Sequence, residues 1–124
     1  MERLNWSVLA LAQEADIQER LFPDFVAVAD ELALAWEEVL EDVASDDDAN
    51  INFYQKGKIE ALDKLIVAIS GPENLKFWDG DALRQFPEWA EIRSAASEVA
   101  QAFGWPILPP PPSQDIYIGA SKDD

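Results

Sequence analysis

Residues 87–103 read PEWAEIRSAASEVAQAF. Within them Trp89, Ile92, Ala96, Val99 and Phe103 recur at spacings of three, four, three and four, the period of one helix face. Pro87 suits a first helical turn, where its missing N–H is no loss, and Gly104 followed by Pro106 marks the stop. The same pattern, read outward, places three more helices. Ile59, Leu62, Ile66 and Ile69 make a buried stripe over about Asn52 to Ile69, closed by Gly71-Pro72. Phe25, Val28, Leu32, Trp36, Val39 and Val43 do the same over about Pro23 to Val43, with Asp24 in the first turn. Leu4, Val8, Leu11, Ala15 and Phe22 share a face over about Asn5 to Phe22, with Asn5 or Ser7 as cap.

Between these helices the sequence predicts connections. Residues 71–81 read as irregular and carry Phe77 and Trp78; Asp79 or Asp81 is placed to cap a short helix through Phe86. Beyond Gly104 the run Pro109 to Pro112 predicts polyproline II. Trp105, Ile107 and Leu108 are expected to anchor this extended tail on the body. Ile116-Tyr117-Ile118 alternates weakly, as a short strand or extended segment does. The expected fold is therefore all-α, a compact bundle of four to five helices with an extended proline-rich C-terminal tail. Its organisation is an acidic helical domain over 1–104 and a tail over 105–124. At 124 residues such a domain buries a core without metals or disulfides.

Charge is the most distinctive feature of the surface. Between Arg20 and Lys56 there is no base and there are ten carboxylates: Asp24, Asp30, Glu31, Glu37, Glu38, Glu41, Asp42, Asp46, Asp47 and Asp48. Residues 1–50 carry 14 acids and 2 bases, net −12; residues 51–124 carry 11 acids and 7 bases, net −4, which together give the −16 of the chain. Most of the run falls on the second predicted helix, opposite its apolar stripe. Leu34 sits within that acidic face, about 40° from Asp30 at roughly 100° per residue. An exposed leucine ringed by carboxylates is either an ordinary surface residue or the apolar anchor of a polar-rimmed interface.

Several chemistries are excluded. There is no cysteine, hence no disulfide, thiolate nucleophile or soft-metal site. There is no histidine, which removes Ser-His-Asp and Cys-His catalysis. Nine bases against 25 acids give no stripe to neutralise phosphates, so direct nucleic-acid binding is not expected. Trp36 and Trp89 fall on core stripes, and Trp6, Trp78 and Trp105 near element ends, where they close a small core. No apolar run is long enough to span a membrane, and the first residues lack a signal-peptide pattern, so the expected location is cytoplasmic. The proline run lacks the flanking base of an SH3 ligand, since no Arg or Lys lies between Arg93 and Lys122. Asp46-x-Asp48-x-Asn50 copies the first ligand positions of an EF-hand loop, but Ile51 and Gly57 stand where that loop needs glycine and a bidentate carboxylate.

One carboxylate pattern carries possible chemistry. Glu37-Glu38-Val39-Leu40-Glu41 reads E-E-x-x-E, and Glu60-Ala61-Leu62-Asp63 reads E-x-x-D. Acids three apart share a helix face, and two such pairs on antiparallel neighbours are able to hold Mg²⁺. This resembles the all-helical MazG-type nucleotide pyrophosphohydrolases. The resemblance implies a Mg²⁺-dependent hydrolase with Glu38, Glu41, Glu60 and Asp63 as metal ligands. Lys64 departs from the apolar residue that the family places after the aspartate.

The reading the charge favours is non-enzymatic: an acidic protein-binding module, a stoichiometric inhibitor that covers the basic, nucleic-acid-binding surface of a partner such as a nuclease or other DNA- or RNA-handling protein. Bacterial immunity proteins and phage anti-defence proteins offer an analogy of charge and size. The expected contact residues are Asp30, Glu31, Leu34, Glu37, Glu38, Glu41, Asp42, Asp46, Asp47 and Asp48. No catalytic residue and no cofactor are expected on this reading. An acidic adaptor or structural domain, whose charge only confers solubility, is the third possibility.

Overall fold

The computed structural model describes residues 2–23, 26–45, 51–79 and 81–112. These form α1 (Glu2–Ala12), α2 (Ala15–Arg20), α3 (Val28–Ser45), α4 (Phe53–Ala68), a 3₁₀ helix η1 (Pro72–Phe77), α5 (Ala82–Gln85) and α6 (Pro87–Phe103). There is no strand among the described residues. The fold is all-α, and the described residues form four long helices with three short elements between them.

α6 is the hub. It packs against both α1 and α4, and α1 packs on α3. Trp89, Ile92, Ala96 and Val99 of α6 are wholly buried. They meet Leu4, Val8 and Leu11 of α1, Leu32 and Trp36 of α3, and Ile59, Leu62 and Ile66 of α4 in one apolar core. α4 runs antiparallel to α6. At one end Gln55 Nε2 donates to the Ala102 carbonyl (3.1 Å), and one turn further Lys58 Nζ bonds Glu98 (2.9 Å). The termini of α4 and α6 follow ordinary capping chemistry. Asn52 and Gln55 form a reciprocal box, each side chain accepting from the other's backbone N–H at 2.7 and 2.9 Å. Gly104 closes α6 in the left-handed region at φ 75°, its N–H reaching the Ala100 and Gln101 carbonyls.

The structure departs from the sequence expectations in the connections. The first predicted helix is two, broken at Gln13 and Glu14. The break is stabilised by glutamines that act as internal caps. Buried Gln18 donates through Nε2 to the Ala10 and Leu11 carbonyls (3.1 and 3.2 Å), and Gln13 donates to Leu9 (3.0 Å). Carbonyls that lose their helical partners thereby find amide donors without water. The second predicted helix starts at Val28, five residues after Pro23; the Glu31 N–H bonds the Ala27 carbonyl at 3.0 Å. Asp24 and Phe25 lie outside the described residues.

The stretch read as irregular is a hydrogen-bonded 3₁₀ turn. Trp78 Nε1 donates to Ile69 and Trp89 Nε1 to Phe77, both at 2.7 Å, while the two indoles meet edge to face at 5.4 Å. Asp81 occupies the N-cap position of α5, but its side chain makes no cap bond. The backbone does the work there, the Arg84 N–H bonding the Asp81 carbonyl at 2.8 Å. In the tail, Trp105 stacks on Phe103 at 4.4 Å, as an anchor should. Ile107 and Leu108 are exposed. Pro110 is buried in their place, and Trp6 Nε1 donates to the Pro111 carbonyl at 2.6 Å. Ile116-Tyr117-Ile118 lies outside the described residues.

Candidate functional site

α3 carries the charge that the sequence singles out. Ala29, Leu32, Ala33, Trp36 and Val39 are buried, which fixes the opposite face outward. Val43 at its end is half-buried. Within α3 there are six acids and no base: Asp30, Glu31, Glu37, Glu38, Glu41 and Asp42. All except half-buried Glu31 are exposed. Leu34 is 49% exposed and lies among them, as the helical wheel requires. The helix holds this face rigid, since its inner stripe is locked into the core by a tryptophan.

The base that reaches the face comes from another helix. Arg3 of α1 forks across to Glu38 Oε1 (2.9 Å) and Asp42 Oδ2 (2.6 Å). All three side chains are more than half exposed, so the fork steers geometry more than it adds stability. Sequence inspection misses Arg3 as part of the face. The residue is visible, but its position opposite Glu38 depends on the packing of α1 on α3, which no local signal encodes.

At the other end of α3, Asp30 and Glu31 share the first turn. The Asp30 carboxyl is raised from its ordinary value by partial burial, then by the nearby charges of Asp79 and Glu31. Asp79 is a second residue absent from the sequence-based set; it comes from the turn before α5. Like charges thus face one another across two elements. A positive group placed there would be favoured, because it would relieve this repulsion. Asp46, Asp47 and Asp48 lie outside the described residues.

The four carboxylates of the proposed metal site are not brought together. Glu38 is turned to Arg3. Asp63 is half-buried and accepts a hydrogen bond from Trp36 Nε1 at 3.1 Å, a contact that joins α4 to α3. Glu60 is exposed on the outer side of α4. Among the described residues no group of three or more acids is close enough to hold a metal ion. Nor is any helix among them long and apolar enough to cross a membrane.

Other ion pairs knit the bundle. Arg84 of α5 clamps α2 through Asp16 Oδ1 (2.5 Å) and Glu19 Oε1 (2.6 Å), and those hydrogen bonds raise its pKa further. Arg93 of α6 donates to the Leu83 carbonyl. These contacts spend bases on holding short elements in place, away from α3. Comparison with known protein families, with curated proteins and with solved structures finds no match to this chain.

Proposed function

We propose that this protein is a non-enzymatic acidic binding module whose α3 face docks on a basic protein surface, of the kind that nucleic-acid-handling proteins present, and blocks it stoichiometrically. One observation carries the reading. Leu34 is exposed among the acids of a helix that carries six carboxylates and no base, and whose buried stripe fixes that face outward. A rigid face loses little entropy on binding, and a negative field steers a basic partner toward it. Leu34 supplies the apolar contact, and the acids form the polar rim around it.

The test is capture from source-cell lysate at low salt, with elution by a salt gradient. The expected product is a basic nucleic-acid-binding protein that elutes as salt rises and loses its grip on nucleic acid at one equivalent of this chain. Neutralising the face as Glu37→Gln, Glu38→Gln and Glu41→Gln should abolish capture. If the neutralised chain captures the same proteins as the native one, the acidity serves solubility alone and the proposal is wrong.

A further inference from the structure

The outer side of α4 is the counterpart of the acidic face. α4 contains three bases (Lys56, Lys58 and Lys64) and two acids (Glu60 and Asp63), net +1, whereas α1 is net 0, α6 is net −2 and α3 is net −6. Among the long helices of the described residues it alone has net positive charge, and one of its three bases, Lys58, is paired with Glu98 of α6. It also concentrates exposed apolar side chains. Of seven large ones among the described residues, Phe53, Tyr54 and Val67 lie on α4, and Leu75 follows shortly after it. Phe53 is 92% exposed, an unusual placement for a phenylalanine.

These residues are not scattered. Phe53, Gly57, Glu60, Lys64 and Val67 recur at spacings of four, three, four and three, and every one is exposed. They form one stripe on the outside of the bundle, apolar at its two ends and polar between them. The buried stripe of α4 is a separate set, Ile59, Leu62 and Ile66. Gly57, with nothing within 4 Å of a Cβ built on it, and Ala61 keep the middle of the outer face low enough for another helix to approach. The outer stripe is also self-complementary. About a two-fold axis at position 62, Glu60 lies opposite Lys64 of the partner subunit, and Lys64 opposite Glu60 of the partner subunit. Gly57 then faces Val67 of the partner subunit. Phe53 then reaches past the end of the other copy's α4, since that helix stops at Ala68.

We propose that α4 is the interface of an isologous antiparallel homodimer, held by reciprocal Glu60–Lys64 pairs between apolar contacts at each end. A two-fold interface requires one patch to complement itself, and this is the face on which two chains of −16 approach with least repulsion. A single helix pair of about 24 Å is a small interface, so the dimer belongs to the weak, micromolar class. The acidic face lies on α3 and this stripe on α4, so the two surfaces are made of different residues.

Sedimentation velocity of the full chain from about 1 to 300 µM tests the proposal across the micromolar range. The native chain should pass from 13.8 kDa to twice that mass. Lys64→Glu sets four acids against one another at the axis and should weaken the dimer by about tenfold or more. The double change Glu60→Lys with Lys64→Glu restores opposite charges and should recover the native association. Phe53→Ser should weaken it independently. All these side chains are exposed, so circular dichroism should report an unchanged fold. A monomer throughout the range would overturn the proposal. So would a dimer indifferent to both Lys64→Glu and Phe53→Ser, or one broken by neutralising Glu37, Glu38 and Glu41 instead.

Discussion

α6 and α3 are nearly equal in length, at 17 and 18 residues, and each seats a tryptophan wholly inside the bundle. Their outer faces differ. α6 carries Glu88, Glu91 and Glu98 with one base, Arg93; Glu98 is paired with Lys58, and Arg93 reaches back to Leu83. α3 carries six acids with no base of its own. The inner stripes do the same work in both helices, because burying large apolar side chains is what the core demands. The outer faces are free of that demand. A face that gathers like charge costs the folded state something, and nothing in the packing of α3 requires it. The difference separates what folding dictates from what the surface is left to do.

The comparison breaks if stability is spread evenly over both faces. Trp89→Ala should cost about 3–5 kcal/mol, since it empties a large buried site and also orphans the Phe77 carbonyl. Glu37→Gln on α3 should stay within about 0.5 kcal/mol. Urea unfolding of the two variants against the native chain decides the matter, and equal costs would sink the distinction. Gln18→Ala asks whether the interior is as demanding of polar groups as of apolar ones. It strips the donor from the Ala10 and Leu11 carbonyls and should cost about 1–3 kcal/mol, with the junction of α1 and α2 exchanging amide hydrogens first.

Trp36 sharpens the comparison, because it belongs to the inner face of α3 and touches an acid. Trp36→Phe removes its bond to Asp63 together with some packing and should cost about 1–2 kcal/mol. Asp63→Asn keeps an oxygen acceptor and should cost about 0.5 kcal/mol or less by the same thermal or urea measurement. If Asp63→Asn proves the more damaging of the two, the carboxylate has a role beyond accepting from the indole.

Which parts of this were legible follows the same division. The 3-4 spacing of Trp89, Ile92, Ala96 and Val99 names the hub helix because the core leaves those residues no alternative. The Gly104 stop is local chemistry and reads equally well; the Asn52–Gln55 box is local too, but the sequence pattern places only the helix start there. The break after Ala12 does not, because apolar residues keep helical spacing across it. It is held by Gln18, a buried polar residue whose amide reaches back seven and eight residues, which an apolar pattern does not register. The acids of α3 and exposed Leu34 are visible as a helix face. Arg3 and Asp79, which shape the field at its two ends, come from elements whose placement is tertiary.

The last two predictions concern those ends. Arg3→Ala removes an exposed fork and should cost about 1 kcal/mol or less, and less still in added salt. Asp30→Asn should act in the opposite direction. The folded carboxyl has a pKa raised above its ordinary value, so the native state holds its proton to higher pH than the unfolded chain does. In the window between the two values the native state binds more protons, and stability therefore falls as pH rises through it. Above that window the native state carries a charge disfavoured by burial, by Asp79 and by Glu31. Asparagine removes that charge, so Asp30→Asn should stabilise the fold at neutral pH by a few tenths of a kcal/mol, roughly the scale of a solvent-screened surface charge. The gain should vanish below the ordinary carboxylate range, where the native aspartate is itself neutral. Unfolding midpoints of the two proteins from acid to neutral pH should diverge upward through this window. Parallel curves would mean that the charges at this end of α3 do not repel one another, and the contrast between the two outer faces would be lost.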